Sequence, residues 1–527
     1  MSYLLHHLIT AQAHLRPEAP ALLTPTGTWT YARLAETVEW MAQGLTALGL
    51  TRGDRVALWL PKSAEAVTLL FAISRSGGVL VPINPLLKPA QVAHILQDSG
   101  ARLLISQGGR LAQLGEYLPA CRELRGLISV DTPTPTSWPV HTLASLHRLG
   151  EGVILHDHGR TENDLVALLY TSGSTGRPKG VMLSHRNLLA GAASVAEYLA
   201  LTPEDRLLAV LPLSFDYGFS QLTVAFHRGA SVMPLDYLLP NDLRKAIVNN
   251  AITVLAAVPT LWQQVAAQSW LAELNTLRIL TNSGGRLPRP IIDRLCRALP
   301  QAKLFLMYGL TEAFRSTFLP PAELDRRPDS IGKAIPNAEV MVLRPDGTPC
   351  APHEPGELVH RGPTVALGYW NDPERTAERF RPLPGRTCSL SHPERVVWSG
   401  DRVRMDEEGF LYFIGRDDDM IKTSGYRISP TEIEDVLYAS GLVREAAAIG
   451  VEDDTLGQRI LAVVVSATED LDTTLLLHYC RANLPAYMVP TTIEVTTALP
   501  LTPNGKIDRR RLREQYGALS SLHVEPA

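Results

Sequence analysis

Tyr170-Thr171-Ser172-Gly173-Ser174-Thr175-Gly176-Arg177-Pro178-Lys179-Gly180 follows an apolar run from Leu165 to Leu169. The run predicts a buried strand, and the hydroxyls and glycines after it predict a loop without regular structure. Gly173 and Gly176 permit the tight or left-handed backbone that turns successive N–H groups into one concavity. Thr171, Ser172, Ser174 and Thr175 add hydroxyls and Lys179 adds charge, a combination suited to the phosphates of a nucleotide. The spacing of the ordinary P-loop is missing, and Pro178 opposes direct entry into a helix. A flexible Gly/Ser surface loop is the plainer alternative. The strand before the segment and the Pro-Lys-Gly exit after it favour phosphate binding.

The surrounding chain alternates strand and helix. Thr30 reads as the N-cap of a helix ending at Gly49, Val56 to Leu60 as a strand, and Ser63 as the cap of a helix stopping at Gly77-Gly78. Val79 to Val81, a helix around Gln91 to Gln97 and Arg102 to Ile105 continue the rhythm, which predicts parallel sheet covered by helices. Thr132 to Pro139 is a surface connection, Leu207 to Leu211 a strand and Asn187 the start of a helix. Gly356 to Trp370 reads as β-rich, with a Pro-containing loop from Arg381 to Glu394. Ser429-Pro430-Thr431-Glu432 predicts a capping box with proline at the first helical position, and Ala446 to Val451 and Ile460 to Val465 are strands of a smaller α+β unit.

At 527 residues, two or more domains are expected. Fifty basic against 54 acidic side chains, a net charge of −4, give no global field for nucleic acid. No apolar run approaches the ~18 residues of a membrane span. Met1 to Leu15 places Leu4, Leu5, Leu8 and Ile9 at helical spacing without a basic leader or cleavage site, so it predicts an amphipathic helix of the mature protein. The five scattered cysteines lack metal or redox spacing, which points to a reducing cytoplasm. His156-Asp157-His158 reads as a polar loop rather than a metal site.

Several later segments follow strands and open at one sheet edge. Leu211-Pro212-Leu213-Ser214-Phe215-Asp216-Tyr217-Gly218-Phe219 offers aromatic and small residues for a pocket, with core packing the alternative for Phe215 and Phe219. Leu277 to Leu280 leads to Asn282-Ser283-Gly284-Gly285, and Leu304 to Leu306 leads to Met307-Tyr308-Gly309-Leu310-Thr311-Glu312. Trp398-Ser399-Gly400-Asp401, Gly415-Arg416-Asp417-Asp418-Asp419-Met420-Ile421-Lys422 and Pro503-Asn504-Gly505-Lys506 complete the set. Arg509, Arg510, Arg511 and Arg513 read as a solvated helix face, with docking to a coenzyme A phosphate or an acidic carrier as the other reading.

Together these ordered motifs resemble the adenylate-forming superfamily of acyl-CoA synthetases, amino-acid adenylation domains and luciferases, over nearly the whole chain. Through Ser214 to Gly218 and Met307 to Arg315, the resemblance is closest to AMP-forming acyl-CoA ligases associated with exosortase A systems. It implies an α/β fold: a large N-terminal domain of helix-covered sheets plus a β-rich subdomain, residues 1–415, hinged at 416–418 to a small α+β domain, 416–527. It implies ATP on Thr171 to Gly176 and Lys179, adenine stacked on Tyr308 beside Gly309 and Gly284, ribose on Asp401, and Arg416 and Lys422 as further nucleotide contacts. Thr311 would meet the α-phosphate, Glu312 would hold magnesium, and Lys506 would be the adenylation lysine. Phe215, Asp216, Phe219, Ser283, Gly284 and Met307 would line the acyl site. Asp418 would be the hinge, and Gly425 and Tyr426 would flank a thiol channel.

The implied reaction activates a carboxylic acid as an acyl-adenylate and transfers it to a thiol, coenzyme A. Asp216 is either a helix cap or, as in amino-acid-activating relatives, the partner of a substrate ammonium, so loading of an amino acid onto a carrier protein is an alternative. A non-catalytic nucleotide-binding scaffold and a luciferase-like oxidase are further alternatives. The implied protein is a cytoplasmic monomer or homodimer.

Overall fold

Short hydrophobic strands, most of them followed by a helix between Arg55 and Ala298, build the part of the chain that carries the site. The computed structural model describes residues 2–133, 138–157, 159–172, 178–383, 394–416, 419–423, 426–453, 456–484 and 486–517. Among them are sheets of eight, fourteen and five strands. The eight-stranded sheet runs in parallel from Leu165–Ser172 through Val79–Pro82, Arg55–Trp59, Leu103–Ser106 and Gly126–Ser129 to Val140–Thr142. The fourteen-stranded sheet has a parallel centre, Lys303–Tyr308, Ile279–Asn282, Val254–Ala257, Arg206–Ala209 and Ser231–Pro234, extended by antiparallel strands between Thr317 and Arg416. The third sheet, from Ile421–Thr423 to Thr492–Val495, carries the small C-terminal domain. This is the expected α/β class, with a large N-terminal and a small C-terminal domain.

Short-range chemistry places the helices. Thr30 caps Tyr31–Ala47 by accepting from the Arg33 N–H, and Ser63 caps Ala64–Arg75 by accepting from the Ala66 N–H. Ser184 caps His185–Tyr198, slightly before the expected start, and exchanges hydrogen bonds with Asn187. Asn187 also donates to the carbonyls of Pro363 and Val365, fixing a distant loop beside this helix.

Three readings are corrected. The strand after Leu165 does not stop at Leu169: it continues to Ser172 and pairs antiparallel with Pro178–Ser184, with Thr171 opposite Lys179. Only five residues separate the two strands, too few for a parallel crossover, so a hairpin is the available connection. Pro430 does open the helix Pro430–Ala439, but Ser429 makes no side-chain cap bond, and the predicted capping box is absent. Arg509 is not simply part of a solvated face; half-buried, its Nη2 donates to both oxygens of the buried Glu434 carboxylate, at 2.6 and 2.7 Å.

The first helix, His7–Leu15, is anchored by Leu4, Leu5, Leu8 and Ile9, which are all buried. Asp157 ties the same end down, meeting His7 at 3.1 Å, His6 at 3.4 Å and Arg75 at 2.6 Å, together with Arg160. His6, His7 and Asp157 bring three potential ligand atoms together. Two guanidiniums on the same carboxylate oppose a cation there, and Asp157 serves as an anchor for this end of the helix; His158 lies outside the described residues. Cys121 and Cys480 are buried, and burial pushes the Cys480 thiol up to about 11.

Buried histidines give the fold an acid liability. Burial lowers His360 to about 3, His185 to about 3 and His6 to about 4. Both ring nitrogens of His360 lack a hydrogen-bond partner among the described residues. Below the unfolded value near 6.5 the unfolded chain takes up protons that the native side chains refuse, so stability falls as pH falls through 6.5 and the loss levels off below the depressed native values. The urea midpoint is therefore expected to drop between pH 7 and pH 4.5. His360→Phe should recover part of that drop, roughly 2–3 kcal/mol at pH 4.5.

Candidate functional site

The carboxyl ends of the parallel strands in both large sheets face one cleft, and the small domain covers it. The cavity of about 1860 Å³ exceeds the ~300–1,000 Å³ of a pocket for one small ligand, giving room for two reactants. Thr171, Lys179, Phe215, Gly284, Met307, Tyr308, Gly309, Thr311, Glu312, Asp401 and Lys506 all line it. Residues separated by hundreds of positions in sequence are thus gathered at the edge where the strand-then-turn motifs were expected to open.

One wall of the cleft is the pair of antiparallel strands that flanks residues 173–177, the segment expected to bind phosphate. Gly173, Ser174, Thr175 and Gly176 lie outside the described residues, as does the side chain of Ser172. Thr171 presents a buried hydroxyl with no hydrogen-bond partner among the described residues, a polar atom that a bound oxyanion would satisfy. Lys179 lies 3.4 Å from a Glu312 carboxylate oxygen and 4.0 Å from the centre of the Tyr369 ring. The Tyr369 hydroxyl donates to the same Glu312 oxygen at 2.7 Å. In sequence Gly368-Tyr369-Trp370 reads only as β-rich; its contribution to this cluster emerges when Gly368–Tyr369 pairs with Val181 and Met182.

On the opposite wall, the Tyr308 hydroxyl donates to Asp401, and the Asp401 N–H donates to Ser399 Oγ at 3.0 Å. The Tyr308 ring lies nearly parallel to the buried His360 ring, with centroids 6.2 Å apart. An aromatic face beside an acceptor-only carboxylate suits a base and a diol. The side chains of Arg416, Lys422 and Tyr426, and all of Asp418 and Gly425, lie outside the described residues.

Lys506 enters from the small domain. Its Nζ stands 5.4 Å from the centre of the Phe215 ring, and its Cε is 3.1 Å from the point a Cβ on Gly284 would occupy. Gly284 also has φ +84°, a backbone conformation that favours glycine.

Three expected acyl-site residues are placed elsewhere. Phe219 is fully buried in the core, and Ser283 is buried between Asn282 and Gly284, which do line the cleft. Asp216 neither lines the cleft nor caps the helix Asp216–Arg228, whose N-cap is Phe215. It lies 3.8 Å from Arg315, and both side chains are buried. The Arg315 guanidinium sits 4.5 Å from the centre of the Tyr217 ring and donates to Ser220 Oγ. Sequence patterns offer no partner for Asp216 because Arg315 is brought to it by the irregular chain after Glu312, where Phe314 and Arg315 have φ of 41° and 121°.

Removing one member of this ion pair leaves the other charge buried. Asp216→Ala is expected to cost about 3–5 kcal/mol, and Asp216→Leu combined with Arg315→Met much less, as read from urea unfolding of the single and double variants.

Comparison with known proteins agrees with this arrangement. The family model described as AMP-binding enzyme matches residues 9–370, and AMP-binding enzyme C-terminal domain matches residues 432–506. Feruloyl-CoA synthase of Amycolatopsis sp is 33% identical, with 96% of this chain and 98% of that protein covered. A linear gramicidin synthase of Brevibacillus parabrevis is 32% identical over 96% of this chain, which spans 6% of that much longer protein. Among solved structures, an anthranilate CoA ligase in complex with anthranoyl-AMP superposes with a TM-score of 0.88 at 26% identity, covering 99% of this chain and 98% of that one. ATP-bound MatB from Rhodopseudomonas palustris gives 0.86 at 27% identity, covering 98% and 99%. With both domains matched in order around a single cleft, this chain belongs to the AMP-binding enzyme family, within the adenylate-forming superfamily.

Proposed function

We propose that the chain uses ATP to convert a carboxylic acid to an acyl-adenylate with release of pyrophosphate, and then transfers the acyl group to coenzyme A with release of AMP. The observation that carries this reading is the convergence of Lys506 from the small domain with Thr171, Lys179, Thr311 and Glu312 from the large one. Attack of a carboxylate oxygen on the α-phosphorus brings anions together, and the P–O bond to pyrophosphate breaks as the new one forms. Cations placed on both sides orient the reactants and offset that charge, which is most of what phosphoryl chemistry requires of a protein.

Lys179 faces the phosphate side and Lys506 the acyl side near Phe215. Tyr308 and Asp401 hold adenine and ribose, and Arg416 and Lys422 add contacts to the nucleotide. Glu312 suits magnesium: it supplies one hard carboxylate oxygen, and triphosphate oxygens and water are the ion's usual remaining ligands. When bound, magnesium would offset charge on the phosphates. The second half-reaction follows rotation at Asp418, which withdraws Lys506 and brings Gly425 and Tyr426 to a thiol channel.

Coenzyme A is favoured over a carrier protein as acceptor because the match to feruloyl-CoA synthase runs the length of both proteins, whereas the gramicidin synthase match is a small part of its relative. The Asp216–Arg315 pair also favours an acid without an α-ammonium, since the charge Asp216 could offer that group is already met and lies away from the cleft lining. We place the reaction in the cytoplasm, where both cosubstrates are available; among the described residues no helix is long and apolar enough to cross a membrane.

Carboxylate-dependent ATP–pyrophosphate exchange tests the first step, across fatty, aromatic, hydroxy and amino acids. Exchange is expected with a plain carboxylic acid and should persist in Asp216→Asn. Exchange driven by amino acids alone and lost in that variant would overturn the reading. Lys506→Ala should reduce exchange by at least about 100-fold while thioester formation from supplied acyl-adenylate continues. Equal loss of both steps would contradict the division of labour.

A further inference from the structure

The turn that carries Lys506 is held from two sides by the large domain. Asn84 leaves the strand Val79–Pro82 of the eight-stranded sheet, and its Nδ2 donates to the Pro503 carbonyl at 3.0 Å. Thr260, in the first turn of the helix Pro259–Ala266 beside the fourteen-stranded sheet, donates its hydroxyl to the Gly505 carbonyl at 3.1 Å. From beside each of the two large sheets, one neutral donor therefore reaches one carbonyl of the same three-residue turn. The acceptors belong to the backbone, so the grip depends on the turn's path and not on its side chains.

Both donors are themselves fixed. Asn84 is 6% exposed, and its Oδ1 accepts the Leu86 N–H at 2.9 Å, which sets the amide so that Nδ2 points to the turn. Thr260 is placed by Pro259 at the first helical position. Gly505 adopts φ +79°, and the point its Cβ would occupy is 3.4 Å from Val258 Cγ2 and 3.7 Å from Thr260 Oγ1, so the turn closely approaches the wall it bonds to. Gly505 is followed directly by Lys506, whose N–H is held by Thr502 Oγ1 at 3.2 Å.

We propose that Asn84 and Thr260 are positioning residues that clamp the 503–505 turn and thereby set Lys506 over the acyl side of the cleft. The assignment rests on the adenylation reading for its purpose, but the clamp is a statement about where the turn sits. Neither side chain is asked to touch the reacting atoms. Because the bonds cross between domains, they exist only in the orientation that puts Lys506 in the cleft and must break when the small domain rotates. Two ordinary hydrogen bonds suit that requirement, since each adds a modest net stabilisation and neither leaves a charge stranded when it opens.

Tryptic cleavage after Lys506, followed by mass spectrometry on the full chain with α,β-methylene ATP present, reads the docked state without knowledge of the acid. Thr260→Val removes the donor and keeps the shape. Asn84→Asp keeps the acceptor for Leu86 and replaces the donor facing Pro503. Each is expected to speed cleavage after Lys506 by roughly fivefold to tenfold, with Thr260→Ser cleaved at the wild-type rate. Cleavage after the exposed Arg122 should not change, which separates loss of the clamp from general loosening. Unchanged cleavage after Lys506 in both Thr260→Val and Asn84→Asp would overturn the proposal. Wild-type cleavage that is indifferent to the nucleotide, with both variants still faster, would count against the adenylation reading and leave the clamp in place.

Discussion

Repulsion between a carboxylate and a triphosphate is the constraint to which the rest of the molecule answers. In water the two anions seldom meet, and a protein that joins them must bring positive charge from more than one direction. Here Lys179 stands on the hairpin of one sheet, and Lys506 reaches in from a separate domain close to Phe215. Glu312 meets both Lys179 and Tyr369, so even the negative charge of the site is held by a cation and a hydroxyl. A wall built on strand ends gives these groups fixed positions, because the strands behind them are packed on both faces by helices.

Burial of charge follows the same economy elsewhere. Asp216 and Arg315 sit behind the cleft and neutralise one another, while Arg509 and Glu434 do so within the small domain. In each case a buried ionised group is held beside its opposite, and neither leaves an unmatched charge facing the reactants. Asp157, with its two arginines and two histidines, does this for the N-terminal helix.

The α/β class and the two-domain plan were legible because strand and helix periods alternate and because caps such as Thr30, Ser63 and Ser184 use short-range chemistry. Lys179, Tyr308, Thr311, Glu312, Asp401 and Lys506 were legible from ordered motifs, and they share one cleft. The partners of those residues were not. Tyr369 meets Glu312 across 57 positions and Asn84 meets Pro503 across 419, and nothing local in either segment encodes the meeting. The extension of the strand to Ser172 was hidden for a related reason: Thr and Ser join a ladder when an opposing strand is supplied, and here Pro178–Ser184 supplies it. Asp216 misled because its neighbours fit a pocket motif, whereas its charge is answered by a residue 99 positions later.

The pairing of Gly368–Tyr369 with the hairpin strand has a bearing on biosynthesis. The strand at 178–184 is among the early products of translation, yet its outer neighbour and the tyrosine beside Glu312 emerge from the ribosome only after nearly two hundred further residues. Asp401 comes later still, and Lys506 more than a hundred residues after it. A growing chain can form its early parallel strands long before it owns a complete reaction chamber, and until then one side of the eight-stranded sheet ends in an unpaired edge. The full lining of the cleft is thus withheld from any fragment that stops short of Lys506, by the order in which its strands and turns are made.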